Sequence, residues 1–369
     1  MQFSLITKPS FCIVRLSAIG DVCNAATVIS RIRDTWPEAS ITWICGKAER
    51  QLLSMIPNIT LIDCDKRAGL AAYLSIWRTL SDQHFDVLLH LQASLRASFL
   101  TLGIKAKRRL GYHRSRAYEW QWLFTNEKTS CPKGMHVIDN YQAFADTLGC
   151  KVTPVRWPFE LSDSALTYAQ DLASRCVHPF VAICPAASKA YKNWYPEGYI
   201  TVIQALQQLG YPVVLVGSPA KNELQMAEQI ESMLSEPVIN IVGQTTLEQL
   251  MAVLKYANLL ITPDTGPAHM AAAMHTPVVG LYAHHNPARV GPYGFEQFAV
   301  NHWETLIRQQ TGKEPEQLPW RCRVRDPEAM AQIRPEEVLA KIAEITEFRM
   351  LKHGADETNA ESVRPSQSH

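Results

Sequence analysis

The chain predicts an α/β protein made of two doubly wound halves. Two observations carry that expectation. Apolar strand-like runs open each half, "FCIVRL" at 11 to 16 and "FVAICP" at 180 to 185. Each is followed by a turn, a helical stretch and a second apolar run about 30 residues on, the span of a βαβ unit. Composition agrees, since 369 residues with 47% hydrophobic and 19% charged side chains suit a globular protein of two domains.

In the first half, "SAIGDVCNAATVISRIRDTWP" reads as a glycine-containing turn and one helix leading to the strand "ITWICG" at 41 to 46. Further strands are expected at 60 to 64 and 85 to 91, separated by a helix over 70 to 83. Prolines break the periodicity in "KVTPVRWPFELSD", so the boundary is set there, with domains at 1–160 and 161–351. The second half continues with a helix at 196 to 210, strands at 212 to 218 and 238 to 244, and a threonine-headed helix at 246 to 257. A last helix at 334 to 351 opens with proline and acids, as helix fronts prefer, and is free to pack back on the first domain. The tail 352–369 has too few apolar residues to pack and is expected to be disordered.

The formal net charge of +1 gives no global argument for nucleic acid, and no apolar run approaches the roughly 20 residues of a spanning helix. No leader pattern opens the chain, so a cytoplasmic protein is expected. The nine cysteines show no CxxC or Cys/His spacing for zinc and read as core thiols of a reducing compartment. The "DCD" at 63 to 65 imitates a metal-binding DxD, but a chance pair at a strand end is the simpler reading, and neither metal nor cofactor is expected.

The stretch "NLLITPDTGPAHMAAAMHTPVVGLY", 258 to 282, runs strand, turn, helix, strand. In a parallel sheet that turn lies at the carboxyl edge, where ligands bind. Thr265 or Gly266 caps the helix, Pro267 fits its first turn, and free N–H groups there suit a phosphate, which Gly266 lets approach the backbone. His269 can donate to an anion or a sugar hydroxyl. Asp264 is unfavourable beside a diphosphate and instead accepts from hydroxyls or fixes the loop. An Asx turn with an incidental histidine explains the spacing equally well.

"DTGPAHMAAAMHTPVVGLY" with "HNPARVGPYG" resembles the donor-site signature of the bacterial ADP-heptose:lipopolysaccharide heptosyltransferases, glycosyltransferase family nine, and the resemblance extends back to "IVRLSAIGDV". It implies a GT-B fold, two Rossmann-like domains facing across a cleft, and a metal-independent, inverting transfer of heptose. It implies an ADP-heptose donor and, as acceptor, Kdo on lipid A, possibly phosphorylated, with the enzyme peripheral on the inner face of the membrane. By that resemblance Asp264, Thr265, Gly266 and His269 hold the nucleotide diphosphate, with Ser188 and Lys192 of "CPAASKAYKNWYPEGY" on a second phosphate loop. Glu223 meets the ribose hydroxyls, and Thr245 neighbours the nucleoside; a first-turn acid and a helix cap are their plain structural readings. Asp21, in the "GD" turn after the first strand, is the implied catalytic base, taking the acceptor hydroxyl's proton. Its plain alternative is a helix cap.

The acceptor is expected on the first half. "KAKRRLGYHRSR" holds Lys105, Lys107, Arg108, Arg109, His113, Arg114 and Arg116 with no acid. Arginine forks bind carboxylates and phosphates bidentately, though an anionic membrane surface or a solvated loop also accounts for the run. Gln92 and Arg96 join as contacts to the sugar acid. The "RLSAIGDV" opening and this cluster look most like enzymes adding the first heptose. An epimerase-like GT-B enzyme with another donor and a non-catalytic nucleotide or lipopolysaccharide binder are the competing readings; a nicotinamide dehydrogenase lacks its G-x-G-x-x-G after either opening strand.

Overall fold

The computed structural model describes residues 8–65, 67–176 and 179–345. They form two lobes, each built on a six-stranded parallel sheet. In the first lobe the strands are β1 (Ser10–Val14), β2 (Ser40–Cys45), β3 (Thr60–Asp63), β4 (Phe85–His90), β5 (Ala106–Gly111) and β6 (Glu127–Lys128). Their spatial order is β3-β2-β1-β4-β5-β6. The helices are α1 (Ile19–Ala25), α2 (Thr27–Thr35), α3 (Lys47–Leu53), α4 (Leu70–Thr79), α5 (Leu95–Thr101) and α6 (Val137–Leu148). β1 is apolar on both faces because both are covered: Phe11 and Ile13 join one hydrophobic cluster, Cys12 and Val14 another.

After α7 (Asp163–Ser174) the second lobe repeats the pattern with β7 (Val181–Ile183), α8 (Pro196–Gln208), β8 (Val213–Leu215), α9 (Lys221–Met233) and β9 (Ile239–Asn240). Then come α10 (Leu247–Tyr256), β10 (Leu259–Pro263), α11 (Gly266–Ala273), β11 (Val278–Tyr282), α12 (Pro287–Val290), β12 (Val300–Asn301) and α13 (Trp303–Thr311). The order β12-β11-β10-β7-β8-β9 reproduces the order of the first sheet, with β7 in the place of β1. Both are the Rossmann order, whose direction reverses between the first and fourth strands of each half.

The helical stretch after β1 is two helices, not one, broken at Ala26. α6 packs on α2, whereas α7 packs on α10, so the chain crosses between lobes within 149–162. Residues 335–345 are helical, and Val338, Ile342 and Ile345 pack into the core of the second lobe, not back on the first. The expected end of that helix and the tail at 352–369 lie outside the described residues. One apolar cluster runs from Phe11 and Ile13 of β1 to Met251 and Leu254 of α10, filling the space between the sheets. Among the described residues no helix is long and apolar enough to cross a membrane.

Candidate active site

The two reversal points face each other. At the carboxyl end of β1, Arg15 reaches across its own loop, its Nη2 lying 2.5 Å from Asp21 Oδ2, while its Nη1 donates to Leu91 O at 2.7 Å. Leu16 N donates to Gln92 Oε1 at 2.6 Å, tying the β1–α1 loop to the β4–α5 loop. Burial works against the Arg15 charge, but Asp21 together with Tyr141 and Tyr112 outweighs it and raises its pKa further. The Asp21 side chain is 44% exposed and so is free to meet a ligand.

Opposite, at the carboxyl end of β10, Asp264 Oδ2 accepts from Lys192 Nζ at 2.7 Å and from His285 Nδ1 at 2.6 Å. Burial alone would raise the Asp264 pKa; the hydrogen bond from His285 and the Lys192 charge reverse that and hold it well below the usual carboxylate range. Thr265 is the N-cap of α11 in extended conformation, with Pro267 in the first turn. Asp264 therefore fixes the loop through side chains of two other segments.

The lobes touch beside this turn. A Cβ on Gly20 would lie 2.4 Å from His269 Cδ2, so only glycine lets α1 and α11 approach so closely. Asn24 Nδ2 donates to His269 Nδ1 at 3.2 Å, which leaves the proton on His269 Nε2. Burial lowers the His269 pKa, keeping the ring neutral. Further along, His136 Nε2 donates to Gly291 O at 3.0 Å and its Nδ1 accepts from Ile138 N at 3.1 Å.

Two cavities open on either side of this seam. One, of about 280 Å³, is lined by Ser188, Lys192, Asp264, Gly266, His269 and His285. The other, of about 460 Å³, is lined by Arg15, Gln92, Tyr112, Arg116, Tyr141 and Trp320. Asp21 and Arg289 wall both.

Thr265 also faces the smaller cavity, so six of the eight residues assigned to the donor gather there. Glu223 and Thr245 do not. Glu223 is buried, with its oxygens accepting from Ser218 N at 2.7 Å and Ser218 Oγ at 2.6 Å, and it braces the turn after β8. Thr245 precedes the true cap of α10, Thr246, whose hydroxyl accepts from Gln249 N.

On the acceptor side only Gln92 and Arg116 line the larger cavity. Half of the basic run, residues 106–111, is β5, and most of its charges are engaged within the lobe. Lys105 donates to Ser81 O, Lys107 pairs with Asp86, and Arg108 pairs with Glu127 through both arms. Arg109 donates to Thr101 O, Ile104 O and Phe124 O. His113 contacts Ser115, Arg114 lines a separate cavity, and Arg96 is exposed on α5. At the "DCD", Asp63 pairs with Arg50 and Asp65 with Lys47.

Residues not anticipated complete the site: Arg15, Arg289 and Trp320. Arg15 alone had a local signal, a cation directly after an opening strand and six residues before the aspartate. The others come together only in three dimensions.

Comparison with known proteins agrees with this geometry. A family model for glycosyltransferase family 9 (heptosyltransferase) matches residues 73–329. The lipopolysaccharide core heptosyltransferase OpsX of Haemophilus influenzae is 40% identical over 339 residues, 92% of this chain and 97% of that protein. The solved family 9 glycosyltransferase of Veillonella parvula superposes with a TM-score of 0.75 at 22% identity, covering 94% of this chain and 98% of its own. E. coli heptosyltransferase WaaC with ADP gives a TM-score of 0.69 at 19% identity, covering 91% and 99%. These structures establish the GT-B architecture. Two facing reversal points, the matched family model and the extended identity to a heptosyltransferase together make the chain a glycosyltransferase that belongs to family 9, the heptosyltransferases.

Proposed function

We propose that the enzyme moves L-glycero-D-manno-heptose from ADP-heptose to Kdo of the lipopolysaccharide inner core on lipid A, as the first heptose, with inversion and without a metal. The observation that carries the reading is the place of Asp21, whose carboxylate walls both cavities at once. The donor is taken in the smaller cavity, and a core heptosyltransferase and a heptosyltransferase holding ADP among the relatives support ADP-heptose as that donor.

The attacking acceptor hydroxyl forms its bond to the anomeric carbon and passes its proton to Asp21 as the bond from that carbon to the diphosphate breaks, its electron pair leaving with ADP. Arg15 holds the Asp21 carboxylate by charge and hydrogen bond. The free N–H groups of α11, Lys192 and the Nε2–H of His269 meet the negative charge that gathers on the leaving diphosphate. Ser188, Thr265 and Gly266 complete that cradle, and Glu223 and Thr245 stand at neighbouring carboxyl edges on the nucleoside side.

The membrane face is read from the first lobe. Trp120 and Trp122 are exposed around a cavity of about 510 Å³ that also holds Arg114 and Lys128, and Leu123, next in the chain, is exposed too. Indoles beside cations suit the headgroup layer of an anionic bilayer.

Asp21→Asn tests the chemistry. With ADP-heptose and Kdo-lipid A, turnover is expected to fall by about 10²–10⁴-fold, while the Kd for ADP measured by calorimetry stays within about twofold of wild type. Turnover near wild type would refute Asp21 as the base, and product of unchanged mass in the wild-type reaction would refute the substrates.

A further inference from the structure

The segment "PWRCRVR", 319 to 325, carries three arginines at alternate positions. It turns between Pro319 and Cys322 and then runs beside 284–285, with Arg323 bridged antiparallel to His285 and Val324 N donating to His284 O. The alternation sorts the side chains. Cys322 and Val324 pack on the core of the second lobe, whereas Arg321, Arg323 and Arg325 are exposed. No ion pair among the described residues involves any of the three, in contrast to Arg108 and Lys107 of β5.

Trp320 anchors this segment between the lobes. Its Nε1 donates to Met135 O of the first lobe at 2.8 Å, and its ring receives the guanidinium of Arg116 at 4.5 Å and of Arg289 at 5.2 Å. Arg321 lies over Tyr118 at 4.6 Å. Arg116 and Arg289 each keep a buried Nε without a partner. A cavity of about 700 Å³ shares Arg116, Trp320 and Arg321 with the larger cavity of the active site and continues to Arg323 and Arg325. Aromatic faces offset part of the repulsion among guanidinium groups gathered this way, and an oxyanion accepting from their forks removes the rest.

We propose that this arginine groove is the docking site for the acidic sugar residues of the acceptor lying beyond the one that receives heptose. The second lobe, through 320 to 325, then reads the acceptor's charge, and the basic run on β5 does not. The proposal rests on the heptosyltransferase reading for the identity of the acceptor.

The test uses a Kdo disaccharide as the free acid and as its methyl ester, with full-length wild type, Arg321→Ala, Arg325→Ala and Arg321→Lys. Wild type is expected to bind the acid at least tenfold more tightly than the ester by calorimetry. Each alanine variant is expected to lose most of that preference and to raise the acceptor KM about tenfold, while the KM for ADP-heptose stays within twofold; lysine, lacking the fork, falls between. Equal binding of acid and ester by wild type, or an acid preference kept by both alanine variants, overturns the proposal. Co-sedimentation with anionic vesicles is expected to be unchanged in Arg321→Ala; a loss there with the acid preference intact assigns the groove to the bilayer and also overturns it. Failure of heptose transfer in wild type with an arginine-dependent acid preference sinks the substrate assignment and leaves this site standing.

Discussion

At the scale of single residues, the histidines that stitch the lobes are neutral by construction. Burial pushes the His136 pKa down from 6.5 to about 4, its bond to Gly291 opposing only in part. The unfolded chain therefore binds one more proton than the folded one between those values, and stability rises with pH across that window. It is fully present above pH 6.5 and is lost as pH falls toward 4. The slope is about 1.4 kcal/mol per pH unit. His136→Gln keeps a donor and an acceptor in the same place and is expected to give a shallower fall of the urea midpoint between pH 6.5 and 4.5. An equal slope in the variant would contradict the account. His90, pushed down to about 3 by burial and the Arg109 charge, adds a second contribution of the same sign.

At the scale of elements, legibility followed the chemistry of each segment. Buried parallel strands such as β1, β4 and β10 are continuous apolar runs and declare themselves. β5 reads "AKRRLG", with its cations turned to partners on both flanks, and passes for a basic loop. β6 and β12 have two residues each, too few for any period to show, whereas the equally short β9 lies inside the longer apolar run expected at 238 to 244. At the front of α10, two adjacent threonines offered the same local signal; the backbone selects Thr246, which forms a capping box with Gln249. Thr246→Ala is expected to cost about 1 kcal/mol in urea unfolding with no change in the KM for ADP-heptose. A larger effect on donor KM than on stability would move Thr246 into the site.

At the scale of the whole molecule, Asp21 and the 264–269 turn were readable because each sits in one contiguous strand–turn–helix passage, where carboxyl-edge geometry can be inferred from sequence. Arg289 and Trp320 were not, because their meaning comes from lobe pairing: one walls both cavities, the other collects guanidiniums from both lobes. The exposed indoles belong to this scale too, through the membrane face proposed above. Trp120→Ala with Trp122→Ala is expected to weaken co-sedimentation with anionic vesicles at least about tenfold. Transfer to a soluble Kdo acceptor should be unaffected, and undiminished sedimentation would remove this face from the membrane.

The hydrogen bonds from Cys23 and Asn24 to His269 bridge the lobes at one wall of the smaller cavity. Any parting of the lobes along that side breaks both bonds, so it also frees the His269 ring from its partner on α1. The clasp and the anion-facing turn are thus one piece of structure, and a displacement of either lobe at this wall is felt directly at the front of α11.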